Sequence, residues 1–241
     1  EEEILLIRQL RPLIGKLETG TPRGWAKENL SFIDEASALS GMKVTGKEQV
    51  IKNTLWQTRY TDYARLNFNI VIFNKYSPKI SENTEQVLSE SGMESSSPVR
   101  FTDKQIWQEI LYSHLWEATT ITAIGLMWLR LNLIRITERG YKLGMIFEHR
   151  KWHSGLSGLD LPRVPVGTGE KLTELMPDSG CKRIFNNVEK IKTTDLPGGH
   201  TYEFLSTQTI FDNYLSGEFD ALAGAAIMVG LMREGLIELT H

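Results

Sequence analysis

One fifteen-residue pattern occurs twice in this chain without a gap, as AIGLMWLRLNLIRIT from Ala123 to Thr137 and as AIMVGLMREGLIELT from Ala226 to Thr240. Each copy holds an apolar helical run, a polar or glycine stop, Leu-Ile, and an alternating segment that ends in Thr. Such a segment must pass from a helical to a period-two face within a few residues, so the pattern places a helix-to-strand junction at two points of the fold. Arg65-Leu66-Asn67-Phe68 echoes Arg130-Leu131-Asn132-Leu133 as a third, shorter junction. The unequal spacings exclude a solenoid of fixed period.

Around the first copy, Ile121 to Gly144 reads as a helix to about Leu131 and then a strand with Ile134 and Ile136 on one face and Arg135 and Thr137 on the other. Glu138-Arg139-Gly140 follows as a turn in which the glycine supplies positive φ, and YKLGMIF returns as a partner strand. Leu115 to Ile134 is nearly apolar, but Glu117 and Arg130 would be costly at those depths in lipid, so the segment is read as a buried helix and no membrane partner is expected.

The flanking segments are read from their caps and spacing. Ile4, Leu5, Ile7 and Leu10 have helical spacing up to Pro12, and Thr21-Pro22 opens a helix toward Leu39 that Gly41 ends. Thr45 with Glu48 forms a capping box for a helix through Val50, Trp56 and Tyr60, whereas Arg65 onward is a helix tail running into a strand. Residues 77–100 read as a loop or linker, and Thr102 with Gln105 caps the helix that follows. Glycines and prolines make 152–170 irregular, with short helices at Gly169–Met176 and Lys182–Lys192. Tyr202–Leu215 and Phe219–Glu234 are helices, the last closed by Gly235 at C′ with Leu236 placed for its contact.

These junctions resemble the recognition helix and first wing strand of winged-helix proteins, and LIRITERGYKL resembles their strand, wing and returning strand. The resemblance implies an α+β, mainly α, fold of two or three winged-helix-like modules with short β-hairpins. The modules would cover 1–80, 102–150 and 201–241, joined by a linker at 81–101 and an irregular or helical connector at 151–200. It also implies either DNA recognition or protein assembly, because fold alone does not choose between them.

Charge refines that choice. With 27 basic and 30 acidic residues in 241, the net charge of −3 argues against a uniform basic coat. Leu126 to Arg163 nevertheless holds seven cations against three carboxylates, whereas Glu203 to His241 holds six carboxylates and only Arg233. The central wing residues Arg135, Arg139 and Lys142, with Arg130, Arg150 and Lys151, are therefore candidates for phosphate contact. Lys47, Lys52, Asn53 and Arg59, on the expected helix 47–59, are candidates for groove insertion. The acidic C-terminal module, with Gly224, Ala225, Ala226 and Gly230 on its helix, points to a protein partner or self-association.

No catalytic constellation emerges. His149 and His153 are four apart and stand near Glu148 and Asp160, a possible metal set, but the HExxH pattern is absent and no cofactor is expected. Asp178 with Glu189 and Lys190 superficially resembles a nuclease set, yet NNVEKIK reads as helix. Cys181 is the sole cysteine, which excludes an intramolecular disulfide and makes a reducing compartment, cytoplasmic or nuclear, the default. The sequence thus points to a duplex-DNA-binding or DNA-associated protein, with an oligomeric assembly adaptor as the alternative and the recognition part of a nuclease third.

Overall fold

The computed structural model describes residues 3–11, 15–22, 32–42, 49–56, 65–73, 96–151, 155, 157–161, 186–187 and 202–241. Among them the chain is 41% helical and 37% strand. The expected mainly α class is therefore wrong: the molecule is an even α+β mix. Most of the difference comes from strands whose sequence carries helical spacing. Ile4–Arg11 is strand β1 and Gln49–Trp56 is strand β3. The β1 run Leu5-Leu6-Ile7 mimics a helix because it is covered on both faces, which erases the alternation of a half-exposed strand. In β3, the β-branched Val50, Ile51 and Thr54 with Trp56 favour a pleated surface over the helix that Thr45 and Glu48 would have capped.

The chain divides into two compact units, residues 1–54 with 67–123 and residues 55–66 with 124–241. In the first, β1 pairs antiparallel with β2 (Lys16–Gly20) on one side and β5 (Ser97–Phe101) on the other, which gives the order β2-β1-β5. Ser97–Phe101, at the end of the expected linker 81–101, is a sheet strand. Helix α1 (Phe32–Ser40) ends at Gly41, which has φ of +68° as a C′ glycine should. Its Leu39 packs on Ile7, with Leu5 against both. Leu6 lies on the opposite sheet face. Helix α2 (Asp103–Leu111) starts at the expected capping box: Gln105 N–H donates to the Thr102 hydroxyl and the Thr102 N–H donates to the Gln105 side chain at 2.8 Å. A separate two-stranded ladder joins β3 to β4 (Arg65–Ile72).

Helix α3 (Ala118–Arg130) carries the chain into the second unit. There β6 (Ile134–Ile136) was expected to form a wing hairpin with the returning strand. It does not. It pairs with β11 (Ile237–Leu239), while Leu143–Lys151 forms β7 and pairs with β8 (Ser157–Asp160), β10 (Tyr202–Ser206) and the short β9 (Asn186–Asn187). Gly140 has no positive φ; it is needed because a Cβ there would run into the Leu236 carbonyl. Asn186–Asn187 lies within an expected helix and Tyr202–Ser206 at the start of another, so both are corrected to strand. The helices Gly169–Met176 and most of Lys182–Lys192 lie outside the described residues. Helices α4 (Thr207–Ser216) and α5 (Ala221–Arg233) complete the unit.

The fifteen-residue repeat belongs to a longer likeness of element order, set apart by α1, β3 and β4 between β2 and β5 and by β9 between β8 and β10. The order hairpin, strand, helix, helix, strand occurs as β1-β2, β5, α2, α3, β6 and again as β7-β8, β10, α4, α5, β11. Both three-stranded paths have the same order, β2-β1-β5 and β8-β7-β10. Caps coincide: Thr102 and Ser206 start α2 and α4, whereas Glu117 and Asp220 accept N–H bonds in the first turns of α3 and α5. Ser113 and Gly217, both left-handed, end the earlier helices, and Asn132 and Gly235 do the same for the later ones. Leu133 N–H donates to the Trp128 carbonyl and Leu236 N–H to the Leu231 carbonyl, the six-to-one bond of one C-terminal motif formed twice.

In the second unit the two repeat ends meet each other. Arg135 stands opposite Glu238 at the centre of the β6-β11 ladder. Thr137 N–H donates to the Leu236 carbonyl at 2.9 Å and Thr240 N–H to the Leu133 carbonyl at 3.0 Å. Their hydroxyls donate to Gly235 and Asn132 in the same reciprocal way. This is a local two-fold, packed on fully buried Trp128, Ile227, Met228, Leu231 and Leu236. Each such side chain contributes about 1.5 to 3 kcal/mol of burial.

Candidate interaction surface

On β1, the residues Leu6, Arg8 and Leu10 share one sheet face, and the register places Thr19 opposite Arg8 and Leu17 opposite Leu10. The near part of that face is buried. Leu6 lies under Ile106 of α2 and Leu115 of the α2–α3 turn, all three at most 3% exposed, around a cavity of about 70 Å³ that Phe101 also lines. Arg8, Thr19, Glu109 and His114 form the polar rim of this cavity. Glu109 faces the His114 Nδ1 at 3.4 Å.

Farther along the hairpin the face is uncovered. Leu10 and Leu17 are 54% and 66% exposed although they are direct cross-strand neighbours. On the turn above the cavity, Tyr112 is 70% exposed and Trp116 54% exposed. Adjacent exposed apolar groups of this size mark contact surfaces more often than isolated ones do. None of these four was singled out from sequence. The helical reading of residues 2–10 hid Leu10, because only the strand register puts it opposite Leu17.

The basic residues named from sequence are placed differently from expectation. Lys47 and Arg59 lie outside the described residues. Lys52 is exposed on β3, and Asn53 lies on the same strand rather than on a groove-seeking helix. The central cations face carboxylates: Arg135 Nε meets Glu238 Oε1 at 2.8 Å, Arg139 reaches Glu234 at 3.4 Å, and Lys142 Nζ meets Glu138 at 2.9 Å. The Lys142 hydrogen bond, reinforced by its charge, holds the Glu138 carboxyl below the ordinary range. Arg130 donates to the Leu215 carbonyl. Arg150 bridges the buried, cross-strand carboxylates of Glu148 and Asp160 at 3.0 and 3.6 Å, whereas Lys151 is exposed at the end of β7. Composition counts these cations but does not show that the carboxylate partners of Arg135 and Arg139 come from about a hundred residues away, whereas those of Lys142 and Arg150 are near in sequence.

Of the metal candidates, Glu148 and Asp160 stand opposite each other on β7 and β8, with Arg150 between their carboxylates. His149 sits on β7 and contacts Glu203 Oε2 on β10 at 2.9 Å, so it lies on a strand rather than on the helical face that i, i+4 spacing requires; His153 lies outside the described residues. Among the described residues, no three His, Cys, Asp or Glu side chains gather where they could hold a metal ion. Among them, too, no helix is long and apolar enough to cross a membrane. Comparison with protein-family models, with curated proteins and with solved structures returned no match.

Proposed function

We propose that this chain is an assembly protein that holds a protein partner on the open face of its β2-β1-β5 sheet. The observation that carries this reading is the Leu10–Leu17 pair, two leucines held outward by a hydrogen-bonded ladder. At the equivalent positions the second repeat pairs Lys151 with Ser157, as expected of a solvated hairpin. Covering what remains exposed of the two leucines is worth about 2 kcal/mol, roughly thirtyfold in affinity. The mutual pairing of Arg135, Arg139 and Lys142 with carboxylates supports the same reading, because a phosphate backbone would have to displace each of those partners.

The test compares the native chain with Leu10→Lys/Leu17→Ser by light scattering and by partner co-elution, with thermal melts to confirm folding. Association, with itself or with a stoichiometric partner, is expected to weaken about thirtyfold in the variant. A strictly monomeric native chain without a partner, or association that the double substitution leaves intact, overturns the proposal. Retention on duplex DNA that falls with salt and with Lys52→Ala would instead favour nucleic-acid binding through the β3-β4 ribbon.

A further inference from the structure

Strand β2 is an edge of its sheet: among the described residues it pairs with β1 alone. An edge strand presents a row of backbone N–H and C=O groups to which another chain can add a strand. The opposite edge strand, β5, holds Pro98, which has no N–H to donate and so interrupts the row. β2 has no proline. It reads Lys16-Leu17-Glu18-Thr19-Gly20, with Lys16 and Leu17 exposed and Glu18 half-buried. Among the described residues no carboxylate pairs with Lys16, and the residue opposite it on β1 is Arg11. Edge strands closed to pairing carry charge of one sign, which repels a second copy; here opposite signs flank an outward leucine.

We infer that a second copy of this chain pairs with the free edge of β2, antiparallel and about a two-fold axis at Leu17. This rests on the assembly reading and makes the partner the chain itself. In that register Leu17 stands opposite Leu17 of the second copy, and Lys16 stands opposite Glu18 of the second copy twice, once on each side of the axis. Neighbouring registers lose this match. A shift of one residue sets Leu17 against a charge and turns the two leucine faces to opposite sides of the joined sheet. A shift of two sets Lys16 against Lys16 or Glu18 against Glu18. Because Leu10 lies directly across from Leu17, the matched register lines up four leucines in one row on the open face, two from each copy. Lys16 and Glu18 meet on the other face, since neighbouring residues of a strand alternate. Around Ser157 the second repeat has Leu156 and Gly158 in sequence, so it lacks both charges as well as the leucine.

The experiment is charge reversal in the full chain, read by analytical ultracentrifugation, with thermal melts to confirm folding. The native chain is expected to form a dimer. Lys16→Glu and Glu18→Lys each set like charges opposite one another twice across the axis, and each should weaken the dimer about tenfold. Lys16→Glu/Glu18→Lys restores both pairs with the signs exchanged and should return the dimer to within about threefold of native. The register is read separately by cross-linking in a Cys181→Ser background. Leu17→Cys should form a disulfide between copies under mild oxidation, because directly opposite Cα atoms lie about 4.5 to 5.5 Å apart, within the reach of the bond. Thr19→Cys, whose two copies would stand four residues out of step, should not. Should Glu18→Lys fail to fold, the exposed Lys16→Glu and the cross-links carry the test. A monomeric native chain, a dimer that Lys16→Glu leaves intact, or a Thr19→Cys cross-link as efficient as that of Leu17→Cys overturns the self-pairing. A monomer that still co-elutes with another protein leaves the assembly reading standing. A dimer dissolved by Leu10→Lys/Leu17→Ser but indifferent to the charge reversals keeps the leucine face and removes the β2 edge.

Discussion

Ser113 and Gly217 hold the same left-handed backbone at equivalent helix ends, with φ of 61° and 79°. A side chain there crowds the following carbonyl, at a cost of roughly 1 to 2 kcal/mol that glycine escapes, less its greater entropy loss on folding. Ser113→Gly should therefore stabilise the fold by about 0.5 to 1 kcal/mol, and Gly217→Ser should destabilise it by a similar amount. Urea denaturation of both variants checks the pair; equal signs would show that the two turns are not equivalent. At this scale several caps are legible from sequence, although the Thr45–Glu48 pattern is followed by strand β3 rather than a helix. Thr102 with Gln105, Gly41 and Gly235 act where their residue types place them, because a cap is satisfied within a few residues of itself. Gly140 was legible as a required glycine but for the wrong reason, since its constraint is a backbone from Leu236 rather than its own φ.

Among the elements, the α3–β6 and α5–β11 junctions are the clearest part of the repeat. Gly125 and Met228 are equivalent positions, and they face each other: a Cβ on Gly125 would lie 2.5 Å from the Met228 Cε and 3.0 Å from the Tyr214 hydroxyl. One copy supplies the space and the other the side chain that fills it. Gly125→Met alone should cost about 1 to 3 kcal/mol by overpacking. Met228→Gly alone should cost about 3 kcal/mol or more by opening a cavity in a fully buried site. If the local two-fold governs the packing, the exchange Gly125→Met/Met228→Gly should recover at least half of the summed loss in a double-mutant cycle. Purely additive losses would argue against it. Sequence placed both junctions and the inward set Ile134 and Ile136, which are buried around an exposed Arg135. It misassigned their partner, because a strand as short as β6 carries a face but no address.

For the molecule as a whole, the candidate surface lies where the two similar halves of the element order differ in side chain. The second repeat stacks Phe147 on Phe219 and ends its hairpin in Lys151 and Ser157; the first has buried Leu6 and Leu115 at the corresponding positions and an outward leucine pair. If the leucine pair is sufficient for contact, transferring it should transfer association. Lys151→Leu/Ser157→Leu is expected to raise the apparent oligomer size or partner stoichiometry in light scattering, with the native chain as reference. A variant that folds and associates no more than the native chain would show that the leucine pair alone is not sufficient for contact. By itself the sequence determined part of what is local: the Thr102–Gln105 cap, the stops at Gly41 and Gly235, the buried apolar helices, and the existence of a repeated helix-to-strand junction, but not the helix that Thr45 and Glu48 would have capped. Tertiary structure alone decided that Ile4–Arg11 and Gln49–Trp56 are strands, that β6 pairs with β11, and that the central cations meet carboxylates. The physical reason is that backbone hydrogen bonds are alike for every possible strand partner, and an ion pair or an exposed leucine is defined only once distant residues have been brought into register.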